Sequence, residues 1–403
     1  MIEDGHLPSD WKIKPLPEEL QFLSGKAHEQ HISELGQFVV VNSKFISSDG
    51  RVRKHSTHNF QPAKTGDILM VMSDLPNGKA LAKTFLVDED DRYAVNQRVC
   101  ILRAKSGDPE YFRYQLNRAK YFLSFDDGVQ QTHLLNRVFV ECPVVVPPSV
   151  QEQKSIARVL SDMDALIASL DALIAKKRDV RLGASENIFT RRSRTECISE
   201  PWRPFALRHI GKLYGGLAGK SKEDFATGDA RFVPFSNVVQ NARLDPSWLE
   251  KVDIRSNETQ NAVRNGDLLF NGSSETPEEV ALASAVRGIP DDQSVYLNSF
   301  CFGFRPNRNA DFCADFWAYL FRSSVGRSVV SGLAQGSTRY NISKKAFLQS
   351  EVLVPSVSEQ RSIASTLTDM DAEIDSLIAK RAKLSALREG GSQQLLTGKI
   401  RLV

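Results

Sequence analysis

The chain is short of the residues that usually announce chemistry. Its 403 residues include five cysteines, Cys100, Cys142, Cys197, Cys301 and Cys313, odd in number, scattered and without a CxxC pair. That argues against a disulfide framework or a zinc knuckle and fits a reduced, cytosolic chain. His28 and His31, like His55 and His58, have HxxH spacing, but neither pair is HExxH and no third ligand lies close in sequence. Both pairs therefore read as exposed polar residues rather than metal ligands. YGGLAGKS (214–221) has Tyr214 where a GxxxxGKS phosphate loop needs its first glycine. Gly215 and Gly216 read instead as a tight turn that sets up Lys220 and Lys222. There is no [ND]PP[YF] tetrad, no helicase motif set and no nucleophile triad, so the chain reads as non-catalytic, without cofactor or metal. No apolar run approaches the roughly 20 residues of a membrane helix, and MIEDGHLPSDW is too acidic and polar for a signal peptide. Surplus charge is also lacking: 52 Lys and Arg against 49 Asp and Glu leave +3. Any basic face has to come from local arrangement.

What the chain does have is a repeat. SVQEQKSIARVLSDMDALI (149–167) returns as SVSEQRSIASTLTDMDAEI (356–374), identical at 13 of 19 positions without a gap. Trp11 matches Trp202, and fourteen residues further on Gly25 matches Gly216. KTGDILM (64–70) matches RNGDLLF (264–270), and YFRYQLNRA (111–119) matches FWAYLFRSS (316–324). GVQQTHLLNRVFVECPVVVP (128–147) matches GSTRYNISKKAFLQSEVLVP (336–355), and SENIFTRRSR (185–194) matches SQQLLTGKIR (392–401). The chain is two copies of one unit of about 200 residues, each with a diverged front part and a nearly preserved tail.

The tail is predicted to be helical. Pro147 and Pro148, or Pro355, end the preceding strand; Ser149 or Ser356 offers an N-cap, with Glu152 or Glu359 three residues on as in a capping box. Ile156, Leu160, Met163, Ile167, Leu170 and Ile174 form a heptad seam. The second copy gives Ile363, Leu367, Met370, Ile374 and Leu377, weakens at Arg381 and resumes at Leu384 and Leu387. Each helix can run about 40 residues, roughly 60 Å at 1.5 Å per residue. So narrow a stripe needs a partner helix. The other copy supplies one within the chain, antiparallel if a pseudo-twofold axis relates the copies; a coiled-coil homodimer is the alternative.

The front parts are mixed. GDILMVM, RVCILRA, VFVECPVVV, GDLLFNG, FCFGFRP and EVLVP read as strands; PEYFRYQLNRAKYFL and ADFWAYLFRSSVGRSVVSGL read as helices. Gly66-Asp67 and Gly266-Asp267 mark a turn before a buried strand. The fold class is therefore α+β: two pseudo-repeated mixed domains, 1–147 and 195–355, separated by two long helical segments, 148–194 and 356–403, packed as an antiparallel coiled coil.

Both front parts carry polar, basic loops. In the first copy these hold Arg51, Arg53, Lys54, His55, His58 and Asn59, then Lys79 and Lys83. In the second they hold Lys220, Lys222, Asn237, Gln240, Asn241 and Arg243, then Ser273, Ser274, Ser337, Thr338, Arg339 and Tyr340. These residue types grip phosphates and read base edges, and they are the candidate DNA-binding residues. The same compositions occur in solvated loops, and a non-catalytic coiled-coil scaffold with two protein-binding modules is the competing class.

Two diverged domains alternating with two nearly identical helices, each entered by PSVQEQKSIA or PSVSEQRSIA, resemble the specificity subunit of type I restriction-modification systems. GDILM and GDLLF, GGLAGKSKE after a Trp-led start, and GSTRYNI before the second helix carry the resemblance along the whole chain. The first copy departs from it: FDDGVQQTHLL lacks the GST, and SGKAHEQH lacks the paired glycines. The resemblance implies that each front domain is a target-recognition domain reading one half of a bipartite double-stranded DNA sequence. It implies that the paired helices fix the gap and dock two methyltransferase subunits, which use S-adenosylmethionine, and that restriction subunits act as motor and nuclease. It implies no membrane partner and no catalysis in this chain.

Overall fold

The computed structural model describes residues 7–75, 78–190, 201–290, 292–308 and 310–402. Cys197 and the end of SENIFTRRSR lie outside them. The chain divides into two compact units, residues 1–171 with 379–403, and residues 172–378.

In the first unit a four-stranded antiparallel sheet has the order Leu20–Ser24, Val99–Ala104, Ile68–Val71, Thr84–Leu86. A three-stranded sheet joins His55–Ser56, Phe38–Val41 and Tyr93–Val95, the last two parallel. Lys12–Pro15 pairs with Pro143–Val146, and Ser73–Asp74 with Thr132–His133. The second unit repeats this plan. Gly211–Gly215, Cys301–Pro306, Leu268–Asn271 and Ala283–Ala285 make the four-stranded sheet; Glu250–Val252, Phe225–Val233 and Val295–Leu297 make the three-stranded one. Arg203–Ala206 pairs with Glu351–Val354.

The glycine-aspartate turns hold as expected, and each has a partner. Gly66 and Gly266 have φ of 85° and 91°, a left-handed conformation open to glycine. Asp67 and Asp267 follow, each 1% exposed. Asp67 takes a two-pronged hydrogen bond from Arg103 (2.7 and 2.7 Å), and Asp267 takes one from Arg305 (2.9 and 2.6 Å). The arginine on the neighbouring strand meets the charge that burial would otherwise penalise.

Several expected elements break. VFVECPVVV divides into a helix, Asn136–Val140, and a strand, Pro143–Val146. PEYFRYQLNRAKYFL stops at Leu116, because Asn117 is extended and Arg118 has φ of 56°; a short helix, Lys120–Leu123, follows. ADFWAYLFRSSVGRSVVSGL breaks at Ser323, which caps the second piece by accepting the Gly326 N–H. The glycine doublet is not a tight turn, since Gly215 ends a strand.

The long helices span Val150–Thr190 and Val357–Leu396. Ser149 and Ser356 cap them through the Glu152 and Glu359 amides (3.1 and 3.4 Å). The reciprocal half of the box is replaced: the Glu152 carboxylate holds Arg401, and that of Glu359 accepts from the Trp202 indole N–H (3.0 Å). Part of the seam is covered by the mixed domains. Ile156 and Leu160 lie in the first unit's core with Trp11, Tyr111, Phe122 and Leu395. Leu367 lies in the second unit's core with Trp202, Trp317 and Phe189, and Ile363 and Met370 pack against it. Leu170, Ile174 and Ile374 are buried, while Met163, Ile167 and Leu377 are half-buried. Charges join the two helices within each unit: Asp164–Arg388 (2.8 Å) and Asp171–Arg381 (3.0 Å) in the first, Lys177–Glu373 (2.6 Å) and Arg181–Asp371 (2.8 Å) in the second. In both, partner numbers fall along one helix as they rise along the other.

Candidate nucleic-acid interface

In the second unit a hairpin rises beside the central sheet. Ala334–Gln335 and Tyr340–Ile342 are its strands, and Tyr340–Ile342 also pairs with Ser273–Ser274. Its tip holds Ser337, Thr338 and Arg339, all exposed. Gly336 makes the tip possible: its φ is 138°, and a Cβ there would lie 2.2 Å from the Arg339 carbonyl oxygen. Arg339 Nε donates to Ser273 Oγ (3.2 Å), and its guanidinium lies 5.1 Å from the centre of the exposed Phe300 ring. Ser274 donates to Glu279 (3.2 Å). The structure thus brings Ser273, Ser274, Ser337, Thr338, Arg339 and Tyr340 together.

Nearby in sequence, the GGLAGKS loop serves itself. The strand Gly211–Gly215 leads to a single turn, Lys222–Asp224, closed by a Ser221–Asp224 capping box. With no helix beginning there, the phosphate-cradling geometry is missing. Lys220 is withdrawn from the candidate set: its side chain is 2% exposed and paired with Glu258 (2.5 Å), whose carboxyl the lysine holds below its ordinary pKa. Lys222 stays exposed. Asn237 is also withdrawn: it is fully buried, donating to the Asp245 and Trp248 carbonyls (2.9 and 2.7 Å) and accepting from the Asn241 amide (2.9 Å). Arg243 is exposed but pairs with Asp315 (3.1 Å).

In the first unit Arg51, Arg53 and Lys54 are exposed on the loop before His55–Ser56. Arg51 and Arg53 each return Nε to a backbone carbonyl, Ser48 (3.0 Å) and Gly50 (2.8 Å), which leaves their terminal amino groups outward. Lys79 is exposed; Lys83 is half-buried and pairs with the exposed Asp49 (2.9 Å). Asn59 donates to the Asp91 and Tyr93 carbonyls (3.3 Å each) and acts as a loop brace. His55 is half-buried in its strand.

The two HxxH pairs meet: His58 is exposed as expected, whereas His31 and His55 are half-buried and His28 is not exposed. The His31 and His58 rings lie 4.4 Å apart, and His28 is fully buried beside Phe60. His28 Nε2 accepts the Phe60 N–H (3.0 Å), so Nδ1 carries the proton and donates to the Lys26 carbonyl (2.7 Å). Burial lowers its pKa. Among the described residues no group of three or more His, Cys, Asp or Glu is placed to hold a metal ion. Burial pushes the Cys100, Cys142 and Cys301 thiols up, to about 12 for the latter two, so none is an available thiolate. No described helix is long and apolar enough to cross a membrane.

The family model for the type I restriction modification DNA specificity domain matches residues 8–176 and again residues 199–386. The chain belongs to this family. It is 21% identical, over 98% of its own length and 94% of the relative's, to the type I restriction enzyme MjaVIII specificity subunit of Methanocaldococcus jannaschii. To the EcoKI specificity subunit of Escherichia coli K12 it is 26% identical over half of this chain and 43% of that one. The crystal structure of the type I restriction-modification S subunit from M. genitalium superposes with a TM-score of 0.58 at 15% identity, covering 98% of each chain.

As a two-copy member of this family, the chain has a first-unit counterpart to Arg339 and its strand that composition did not single out, although among the described residues no strand there matches Ala334–Gln335 to close a hairpin. Thr132–His133 pairs with Ser73–Asp74 as Tyr340–Ile342 pairs with Ser273–Ser274, and Gln131 donates from Nε2 to Ser73 Oγ (2.8 Å). Asp127 stiffens the loop by accepting the Gln130 and Val129 amides, which lower its pKa. The gapless match of GVQQTH to GSTRYN was the available signal. Phe300 had none, because a lone aromatic in a strand-rich segment reads as core.

Proposed function

We propose that this chain is the DNA sequence-specificity subunit of a type I restriction-modification enzyme. Each mixed domain is a target-recognition domain for one half of a bipartite duplex target. The two long helices run antiparallel as a coiled coil, set the unread gap, and offer two equivalent docking surfaces to two methyltransferase subunits. Methyl transfer from S-adenosylmethionine, translocation and cleavage belong to the partner methyltransferase and restriction subunits, in the cytoplasm. The chain itself contributes recognition and geometry.

The observation that carries this reading is the doubled polar loop-and-strand: in each unit a short strand at the same repeat position pairs beside the central sheet, Thr132–His133 with Ser73–Asp74 and Tyr340–Ile342 with Ser273–Ser274, and the residue before it, Gln131 or Arg339, is exposed. Arg51, Arg53 and Lys54 suit the phosphates of one half-site, and Lys222 those of the other. The test is methylome sequencing of a cell in which this chain is the only specificity subunit supplied to type I methyltransferase subunits. A single motif with two specified halves and a fixed gap is expected. Neutralising Arg51, Arg53 and Lys54 together is expected to lower the salt slope of binding by about 0.9 for each phosphate left without its cation. A contiguous motif, or no motif, refutes the reading.

A further inference from the structure

Gln131 and Arg339 occupy one position of the repeat, three residues after Gly128 and Gly336. In the first unit Asp74 faces Thr132 and Ser73 faces His133; in the second Ser274 faces Tyr340 and Ser273 faces Asn341. Both serines are buried, at 3% and 5% exposure, and each hydroxyl accepts one hydrogen bond from the head of the side chain above it. Both heads are otherwise exposed.

What each tether leaves open is the point. Arg339 gives Nε to Ser273, so its two terminal amino groups remain as parallel donors. Guanine offers two acceptors, O6 and N7, in the major groove. Gln131 gives one Nε2 hydrogen to Ser73, so it keeps one N–H donor and the Oε1 acceptor. Adenine offers one donor, N6–H, and one acceptor, N7. In both copies the serine takes up a donor that the two-pronged base contact does not need, and it limits the freedom of a flexible planar head before binding. A phosphate grip would suit arginine, but phosphate oxygens only accept, so it would leave the glutamine's Oε1 acceptor unused, whereas adenine uses both its donor and its acceptor.

Resting on the half-site reading above, we infer that Gln131 and Arg339 are the base-reading residues at one equivalent position of the two half-sites. Gln131 specifies an A·T pair and Arg339 a G·C pair, with Ser73 and Ser273 as positioning residues. Phe300 braces the arginine in the second copy only: its first-copy counterpart, by the matching strand register, is Arg98.

The test uses the full chain assembled with type I methyltransferase subunits and a random-sequence duplex library, with bound duplexes sequenced. For Q131R one A·T position in one half-site is expected to become G·C; for R339Q one G·C position in the other half is expected to become A·T. Preference at each position should change about 5- to 150-fold, the range a two-pronged contact carries, and the remaining positions should hold. S73A and S273A are expected to relax preference at the same two positions and nowhere else. An unchanged motif overturns the inference, as does an even weakening across all sequences, which marks a phosphate grip. A shift by one variant alone overturns the equivalence. Absence of any two-part motif with the unsubstituted chain refutes the half-site reading instead.

Discussion

Gly25 and Gly216 are matched glycines with one physical reason. A Cβ on Gly25 would lie 2.1 Å from the Asn96 carbonyl oxygen, and one on Gly216 would lie 2.0 Å from that of Asn298. Both obstacles are backbone, so neither can swing aside. Gly215 meets nothing within 4 Å. G25A and G216A are each expected to destabilise by about 1–3 kcal/mol, as overpacking does, while G215A stays within about 0.5 kcal/mol; thermal melts of the three variants separate them. His28 supplies a pH prediction. Its folded pKa lies below the ordinary 6.5, so the unfolded chain takes up the proton more readily. Its contribution is therefore fully present above pH 6.5 and is lost as pH falls below it. Protonation would also set an N–H against the Phe60 N–H. Lys26, Glu29 and His31 are the charged or titratable neighbours, and Glu29 is engaged by Asn96 (3.1 Å). Between pH 7.5 and 5.5 the native chain should lose more melting temperature than H28Q; equal losses would remove His28 from the account.

The element scale is where the repeat does most. Tyr114 donates to Asp164 (2.9 Å), which also takes two bonds from Arg388 (2.8 and 3.1 Å). Tyr319 donates to Asp371 (2.8 Å), which takes two from Arg181 (2.8 and 3.2 Å). Each clamp ties a mixed-domain helix to both long helices, using the aspartate from the start of one and the arginine from the end of the other. Burial, foremost, raises both tyrosine pKa values, that of Tyr114 to about 12. D371N and D164N should each cost about 1.5–3 kcal/mol, the range for a hydrogen bond to a charged group. Removing the more exposed Lys177–Glu373 pair should cost about 1 kcal/mol or less. Equal effects in denaturant melts would contradict the clamp. The tyrosines and aspartates stood in aligned segments of the sequence, but their arginines did not signal the pairing. Those partners lie about 190 and 224 residues away, in the opposite copy, beyond the reach of any local spacing rule. The long helices were legible because caps and a heptad are local. The breaks at Arg118 and Ser323 were not, since a left-handed residue and a mid-run cap leave the apolar pattern intact. Asn237 and Lys220 looked like surface by type; carbonyls and a carboxylate supplied by later segments bury them.

At the scale of the whole molecule the two clamps bear on the proposed spacer. Seventeen residues separate Asp164 from Arg181, and seventeen separate Asp371 from Arg388. An insertion in one helix alone puts one clamp out of register, so four residues after Ala168 should lower the melting temperature by an amount near that of D371N. Matched insertions after Ala168 and after Asp375, its counterpart in the repeat, keep both clamps. Four residues add about 6 Å and about 40° beyond a full turn. Along DNA 6 Å is a little under two base pairs, which turn the duplex by roughly 70° at about 10.5 per turn. The rotations share a sense and differ by about 30°, a strain that the recognition domains and the duplex can share. Four residues make a stutter in the heptad rather than a break, so the doubly inserted chain should fold. Its expected methylated motif keeps both half-sites and widens the gap between them by one or two base pairs. An unchanged gap with full activity would mean that the helices do not set the spacing, and that the domains find their half-sites independently of the helices' length.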